Sequence, residues 1–460
     1  MRTIQIFDDA NYEPHWTKFK RDSARAIIFI GDKLLMVQSQ KYGEYKFPGG
    51  GIKKDETHNQ ALTREVKEET GYSLMPESIV AYGKTLILRK GSGQNEIFEQ
   101  ESFYFTCKVA ECDVSEPTPD DGYEKEYDYI PTLVSLSEAI GVNEKLLNIP
   151  EILWVLRDLT VLKELAKYVE IVREFWGLEG ESLEHIHTSK HNSSWNIGNK
   201  FVLRQQHEPN MEKLTQNIHL ANLLKAENIP AVIYVKTTLG ELATPNGEYC
   251  LMEKLSGEHL DFYDSPASMI ELGRGLARLH LALSKVEPDL RYKDYDFLSE
   301  WNNYIKTGLT GISDEIVNRL EATLFTNYEK LLRTPIHRDV HSQNVLFHDG
   351  KLSGWLDFDL TRKDARIFDL AYLLAGLLVG QMNNPEKLNI WKIIYRNLID
   401  GYKEISILND EEISSLPCLM IAIELLFVTY WNSMGNDKER EKARELAIWL
   451  HEIDFGKLLL

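Results

Sequence analysis

The chain has 460 residues, a formal net charge of −19 and 27% charged side chains. That length exceeds one ordinary core and predicts two or three domains. The acidic balance excludes a nucleic-acid duplex or an anionic membrane surface as the main partner. Cys107, Cys112, Cys250 and Cys418 form no CxxC pair, so no disulfide scaffold is expected and a reducing, cytoplasmic setting fits. The opening MRTIQIFDDANYEPHW lacks the apolar run of a secretory leader. The stretch Leu370–Val379 is about half the length of a bilayer span and reads as a buried helix.

In chain order, Ala24–Ile30 and Lys33–Gln38 are apolar runs around Gly31-Asp32, which predicts a hairpin. The spacing predicts a helix over 57–70, with Thr57 and Gln60 as a capping box and Gly71 as its stop. Strands are expected at Ile79–Leu88 and Ser102–Val109. The segment from Ile149 to Tyr168 reads as a boundary with helical character. A second hairpin follows, Ser193–Ile197 and Lys200–Gln205 about Gly198-Asn199, and then a helix over Met211–Lys225. Tyr249–Leu255 reads as a strand. Beyond Pro266, Met269, Leu272, Leu276 and Leu279 recur at helical spacing.

Two constellations carry chemistry. Residues 50–72 read GGIKKDETHNQALTREVKEETGY. At about 100° per residue, Glu65, Glu68 and Glu69 fall within roughly a 100° arc of one helix. Acids that close repel each other, and a hard divalent cation such as Mg²⁺ or Mn²⁺ removes the repulsion. Leu62 and Val66 occupy the neighbouring arc and anchor the helix, while Arg64 pairs with a glutamate and holds its rotamer. Gly49, Gly50 and Gly51 let backbone groups approach an ion and a phosphate closely.

Gly50, Glu56, Arg64, Glu65, Glu68, Glu69 and Gly71 fit G-x5-E-x7-R-E-U-x-E-E-x-G-U, with Tyr72 at the last, usually aliphatic, position. With the flanking FPGG at Phe47–Gly50, residues 1–150 resemble the Nudix hydrolases. The resemblance implies that Glu65, Glu68 and Glu69 are metal ligands, assisted by Glu56 and the Gly50 carbonyl. It also implies that Glu68 and Glu69 act in catalysis. The family often uses a further carboxylate, for which Glu99, Glu101, Glu124 and Glu126 are candidates.

The second constellation, residues 337–359, reads HRDVHSQNVLFHDGKLSGWLDFD. Its spacing suits phosphoryl transfer from ATP. Asp339 takes the proton of the attacking hydroxyl, and Asn344 and Asp357 hold Mg²⁺ on the nucleotide, with Asp359 assisting. His337 braces the loop. There is no GxGxxG, VAIK, DFG or APE, so Leu356-Asp357-Phe358-Asp359 favours a small-molecule kinase over a protein kinase.

This half resembles the aminoglycoside phosphotransferase and choline kinase family over about 170–455. Leu276-Ala277-Arg278-Leu279-His280 looks like that family's helix after the interlobe strand, and Phe201-Val202-Leu203-Arg204 like its phosphate-contacting strand. The resemblance places Arg204 where a lysine is usual, and Glu212 as the nearest candidate for its partner, both on ATP. Tyr249–Leu255 would hold the adenine.

The expected fold is multidomain α/β and α+β: a Nudix α/β/α sandwich at 1–150, a helical linker at 151–167 and a bilobal protein-kinase-like phosphotransferase at 168–460. The expected function is bifunctional. One half hydrolyses a nucleoside diphosphate linked to another moiety with Mg²⁺ or Mn²⁺. The other phosphorylates a hydroxyl on a small molecule with ATP. An alternative keeps the kinase-like half as a non-catalytic nucleotide or metabolite sensor, motivated by Arg204.

Overall fold

The computed structural model describes residues 1–118, 127–152, 154–180, 182–188, 192–286 and 296–459. It divides into two compact units, Met1–Asn210 with Val235–Lys254, and Met211–Tyr234 with Leu255–Leu460. These units run differently from the division expected at 150 and 167.

In the first unit, a mixed sheet runs Thr3–Asp8, Val80–Lys90, Glu96–Thr106, Ser23–Ile27, Gly49–Gly51. A second sheet joins Tyr129–Val134, Lys33–Ser39 and Phe29–Ile30. The first expected hairpin forms only at its tip, where Phe29 pairs with Leu34 and Ile30 with Lys33. The chain changes sheets at Ile28, and Ser23–Ile27 pairs instead with Ser102–Thr106.

Helix α1, His58–Thr70, begins on the expected capping box and ends on left-handed Gly71. It buries Ala61, Leu62 and Val66 against Ala24, Ala26, Ile28 and Leu35. Strand alternation sends Ile27 to the opposite layer. There it packs with Phe47, Tyr104 and the apolar face of the helix Trp154–Trp176, while α2, Leu136–Lys145, lies alongside. Helix α3, Trp154–Trp176, extends well past the expected end of the linker. The result is the α/β/α sandwich.

A further antiparallel sheet, Leu183–Thr188, Asn192–Ile197, Phe201–Gln206 and Tyr249–Glu253, shares that core. Its Trp195, fully buried, meets Tyr168 of α3 at 4.6 Å and Tyr82 of the sandwich edge-on at 5.4 Å. Tyr168 also donates to Gln205 at 3.0 Å. One apolar cluster therefore includes Phe47, Leu162, Trp195, Leu203 and Leu251. This common core explains why the sheet belongs to the same compact unit as the sandwich.

The second unit is mostly helical. Helix α4 spans Met211–Ala226, α5 Ser268–Leu283, α6 Ile367–Leu378, α7 Pro385–Ile405, α8 Asp410–Ser433 and α9 Asp437–Glu452. Met269, Leu272, Leu276 and Leu279 of α5 are buried as their spacing predicted. Helices α5 and α7 touch backbone to backbone. A Cβ at Gly273 would meet Leu398 O at 2.2 Å, and one at Gly401 would meet Ile270 O at 2.1 Å. Two short antiparallel pairs, Arg333–Ile336 with Arg362–Ala365 and Val345–His348 with Lys351–Trp355, carry the intervening loops.

Leu370–Val379 falls in the buried helix α6, as expected. Helix α8 is long and apolar enough to cross a membrane, but 56% of its most apolar window is buried inside the fold. Cys107, Cys250 and Cys418 are buried.

Trp195 ties the strand-rich segment to the sandwich, so Trp195→Ala is expected to cost about 3–5 kcal/mol. Denaturant unfolding followed by circular dichroism measures this, and a loss below about 1 kcal/mol would show that the shared core is not cohesive.

Candidate active sites

The first site is built on α1 and the loop before it. Arg64 is its hub. Its guanidinium donates to Glu56 at 2.7 and 2.9 Å, to Glu65 at 2.7 Å and to Glu68 at 3.0 Å. It also reaches the Gly51 carbonyl at 3.2 Å. The Arg64 hydrogen bonds pull the Glu56 carboxyl down to about 2. Burial pushes the Glu65 carboxyl up, Arg64 opposes this, and the nearby Glu69 and Glu68 add to the rise. Like-charge crowding is therefore present, as the helical spacing anticipated.

The arc of three acids is nevertheless split. Glu69, turned the other way, accepts from Lys46 Nζ at 2.6 Å and from the Gly49 N–H at 2.7 Å. Among the described residues, no group of three or more His, Cys, Asp or Glu side chains stands as a ready metal cluster. The Arg64 guanidinium lies between Glu65 and Glu68 and supplies the neutralising charge there. The donor chemistry is all oxygen and suits a hard divalent cation. The loop is shaped for close approach: a Cβ at Gly50 would fall 2.4 Å from Glu65 Oε2. Gly49 has φ 135° and no room for a Cβ beside the Ala24 carbonyl.

A cavity of about 490 Å³ opens over Gly49, Gly50, Gly51 and Glu65. Arg21, Arg25, Lys46, Arg89 and Arg157 line it. Arg25 donates to the carbonyls of Phe47 and Gly49 at 3.1 and 3.2 Å, and Arg157 is bound to Asp158 at 2.9 Å. Strand alternation puts Phe98 and Gln100 on the cavity wall, which turns Glu99 and Glu101 to the other face. There Glu99 pairs with Lys18 and Lys20, and Glu101 with Lys84. Glu124 and Glu126 lie outside the described residues.

The second site centres on Asp339, after the strand Arg333–Ile336. Asp369 of α6 holds the approach to it. Its fully buried carboxylate accepts from the His337 N–H at 2.9 Å, the Arg338 N–H at 2.7 Å and His280 Nε2 at 3.0 Å. His280 Nδ1 in turn meets the Tyr402 hydroxyl at 2.8 Å. These donors stabilise Arg338 at φ 71°, a left-handed conformation a non-glycine residue rarely adopts.

Burial pushes the His337 imidazole down, against the pull of Asp369. Its Nε2 faces the Leu356 carbonyl at 2.8 Å, and its Nδ1 faces the Asp339 N–H at 3.3 Å. A carbonyl only accepts, so the proton sits on Nε2. His337 thus braces the loop, as expected.

Asp339 itself is held by two side chains. Asn344 Nδ2 donates to its Oδ2 at 3.0 Å and its carbonyl at 2.9 Å, while Tyr372 donates to Oδ1 at 2.8 Å. Burial pushes this carboxyl up, but the His341 and Tyr372 contacts outweigh it and hold it below the usual range. The Leu356 N–H donates to the Asn344 carbonyl at 2.9 Å, which stitches the Asn344 loop to the Asp357 loop. Asp357 adopts φ 54°. Asp359 accepts from Asn217 at 2.9 Å and lies 3.5 Å from Lys213, both on α4. Arg204 lies on the strand Phe201–Gln206 of the first unit, and Glu212 opens α4 in the second.

Sequence reading missed Lys46, Asp369 and Tyr372. Lys46 directly precedes the FPGG stretch, but nothing in one sequence couples it to Glu69. Asp369 and Tyr372 were visible as the polar interruptions of the apolar run IFDLAYLLAGLL. A buried polar residue is held by partners, and that signal could have marked them.

Residues 20–150 match the family model described as NUDIX domain, and residues 185–388 match the one described as Phosphotransferase enzyme family. A homoserine kinase of Methylobacillus glycogenes is 27% identical over 254 residues, covering 54% of this chain and 76% of that protein. One of Xanthobacter autotrophicus is 32% identical over 167 residues, covering 34% of this chain and 49% of that protein. An amicoumacin kinase, solved in complex with AMP-PNP, Ca²⁺ and Ami, shares the fold over 63% of this chain and 93% of its own. Its TM-score is 0.50 at 17% identity. With a NUDIX domain at 20–150 and a phosphotransferase (kinase) domain at 185–388, the chain is an enzyme.

Proposed function

We propose that the chain is bifunctional, with domains at 1–150 and 168–460 joined by the helical segment 151–167. The first half hydrolyses a nucleoside diphosphate linked to another moiety. Glu65, Glu68 and Glu69 hold Mg²⁺ or Mn²⁺ with the help of Glu56 and the Gly50 carbonyl, and Glu68 and Glu69 carry the catalysis. The bound cation would neutralise the diphosphate and lower the pKa of the attacking water. Arg64 holds Glu56, Glu65 and Glu68 in place, while Arg21 and Arg89 face the anionic substrate. The crowding of Glu56, Glu65 and Glu68 onto one guanidinium carries this reading.

In the second half, Asp339 takes the proton of a small-molecule hydroxyl whose oxygen attacks the γ-phosphorus of ATP, and the bond to ADP breaks. Asn344, Asp357 and Asp359 hold Mg²⁺ on the nucleotide, and Arg204 with Glu212 serves its phosphates. The double hold on Asp339 by Tyr372 and Asn344 carries this reading, because it fixes the base before an acceptor arrives. The likeness to proteins named homoserine kinase supports a small acceptor. The acidic charge supports a cytoplasmic protein that binds neither duplex nucleic acid nor membrane. Arg204 in the place of a lysine favours a second reading, a nucleotide sensor without turnover.

Three measurements test these roles. Glu68→Gln and Glu69→Gln are each expected to lower Mg²⁺-dependent hydrolysis of a nucleotide-sugar panel by about 100-fold or more, and undiminished turnover in both would refute the assignment. Arg64→Ala should lower the metal-free melting temperature and enlarge the rise produced by added Mg²⁺, as differential scanning fluorimetry reads. No such rise would sink the cation site. Asp339→Asn should abolish acceptor-dependent ADP release, and a wild-type protein that binds ATP without turnover on any alcohol would establish the sensor instead.

A further inference from the structure

One wall of the cavity over the Gly49–Gly51 loop holds a charge that the glutamates of α1 do not balance. Arg25, on the strand Ser23–Ile27, lines this cavity and is 8% exposed. Its Nη1 donates to the carbonyls of Phe47 and Gly49. Its Nε is buried without a partner, and its Nη2 donates to no described residue.

The other buried basic side chains of the described structure are each matched by an acid. Lys46 has Glu69, Arg157 has Asp158, Arg338 has Glu300 and Arg366 has Glu412. Arg25 has no acid within ion-pair distance among the described residues, although Asp9, Glu65 and Glu151 line the same cavity. The Asp158 charge reaches it from farther off. Burial pushes the Asp158 carboxyl up, and the Arg157 and Arg25 guanidiniums outweigh this. Both Asp158 oxygens are already taken, by Arg157 at 2.9 and 3.2 Å and by Tyr104 at 2.9 Å. Two buried guanidiniums thus share one carboxylate, and one positive charge is left over. A buried charge without a counterion destabilises a fold, so a cavity wall that keeps one is built for an anion.

The uncommitted edge narrows the kind of anion. Nε and Nη2 form the side of a guanidinium that grips two oxygens at once. Arg157 presents that edge to Asp158, and Arg366 presents it to Glu412 at 2.7 Å from both nitrogens. The same edge of Arg25 fits a group with two oxygens, a phosphoryl or a carboxylate. Its Nη1 fastens the guanidinium to Gly49, next to the Gly50 carbonyl that the hydrolase reading gives to the cation. An oxyanion on Arg25 and a phosphoryl group on that cation are then neighbours, as the two halves of a diphosphate are.

We infer that Arg25 is a catalytic residue of the hydrolase and grips the phosphoryl group that departs. The inference rests on the hydrolase reading and adds a residue to that site. Water attacks one phosphorus and loses its proton to a carboxylate of α1. The bond from that phosphorus to the bridging oxygen breaks, and this oxygen leaves on the other phosphoryl group with one more negative charge. A guanidinium fixed beforehand in a water-poor wall stabilises the charge as it forms.

The test measures Mg²⁺-dependent hydrolysis of ADP-ribose, UDP-glucose, UDP-glucuronate and NADH by the full-length enzyme. Arg25→Lys keeps the charge and loses the fork, and Arg25→Gln keeps a donor for the loop carbonyls and loses the charge. Each is expected to lower kcat about 100-fold on every diphosphate turned over, with KM little changed. Undiminished kcat in both variants, or a loss confined to UDP-glucuronate, whose carboxylate would then be the group on Arg25, overturns the inference. Differential scanning fluorimetry separates a grip on substrate from a brace for the loop. Inorganic pyrophosphate should raise the melting temperature of the wild type and not of Arg25→Gln, while the rise produced by Mg²⁺ survives in Arg25→Gln. Loss of both rises would leave Arg25 only a brace and overturn its catalytic role. A pyrophosphate rise that needs Arg25, in a wild type that hydrolyses none of the panel, would keep the oxyanion grip and remove the hydrolase reading, and the catalytic role with it.

Discussion

A carboxylate removed from water must be surrounded by donors, and both sites depend on how that requirement is met. Asp369 shows it most fully. Its two oxygens take the N–H groups of His337 and Arg338 and the ring of His280, so one side chain on α6 dictates the backbone of the loop that presents Asp339. The left-handed Arg338 is affordable only because that N–H is satisfied. His280 and Tyr402 extend the hold into α5 and α7, whose close packing is set by Gly273 and Gly401. The position of Asp339 is thus settled by the helical core beneath it.

The first site meets the same requirement with fewer and more exposed donors. One guanidinium serves Glu56, Glu65 and Glu68, and one lysine with one backbone N–H serves Glu69. A planar fork satisfies several carboxylates at once, which a single ammonium on a flexible stem does not. The arrangement aligns the acids yet leaves them short of charge, and burial with mutual repulsion keeps the Glu65 carboxyl raised. The cation of the proposed function would supply that missing charge, whereas the Asp369 site has no such deficit.

Local features were the legible part of the sequence. The helix His58–Thr70 announced itself through its capping box, its glycine stop and the 3.6-residue spacing of Leu62 and Val66, all set by residues a few positions apart. The hairpin at Gly198-Asn199 and the apolar face of α5 belong to the same class. What one sequence did not disclose depends on distant partners. Ile28 marks where the chain leaves one sheet for another, and Trp195 joins the strand-rich segment to the sandwich across more than a hundred residues of separation from Tyr82. The helix α3 runs past residue 167 because Tyr168, Val172 and Trp176 of its last turns pack against that sheet. Likewise the glutamates shared an arc in the helical projection, but Lys46 and the Gly49 N–H turned Glu69 away from it.

Charge then separates the two cavities. The chain carries −19 overall, so positive potential has to be assembled locally wherever an anion is handled. The 490 Å³ cavity of the first unit does this, with four arginines and a lysine on its wall. A 280 Å³ cavity of the second unit differs, with Glu424 and Glu439 on its wall and, among the described lining residues, no lysine or arginine. Such walls act on substrates before any bond is made, because a like charge entering a water-poor cavity meets a repulsion that contacts elsewhere do not repair. The basic wall of the first cavity suits the diphosphate of the proposed hydrolysis.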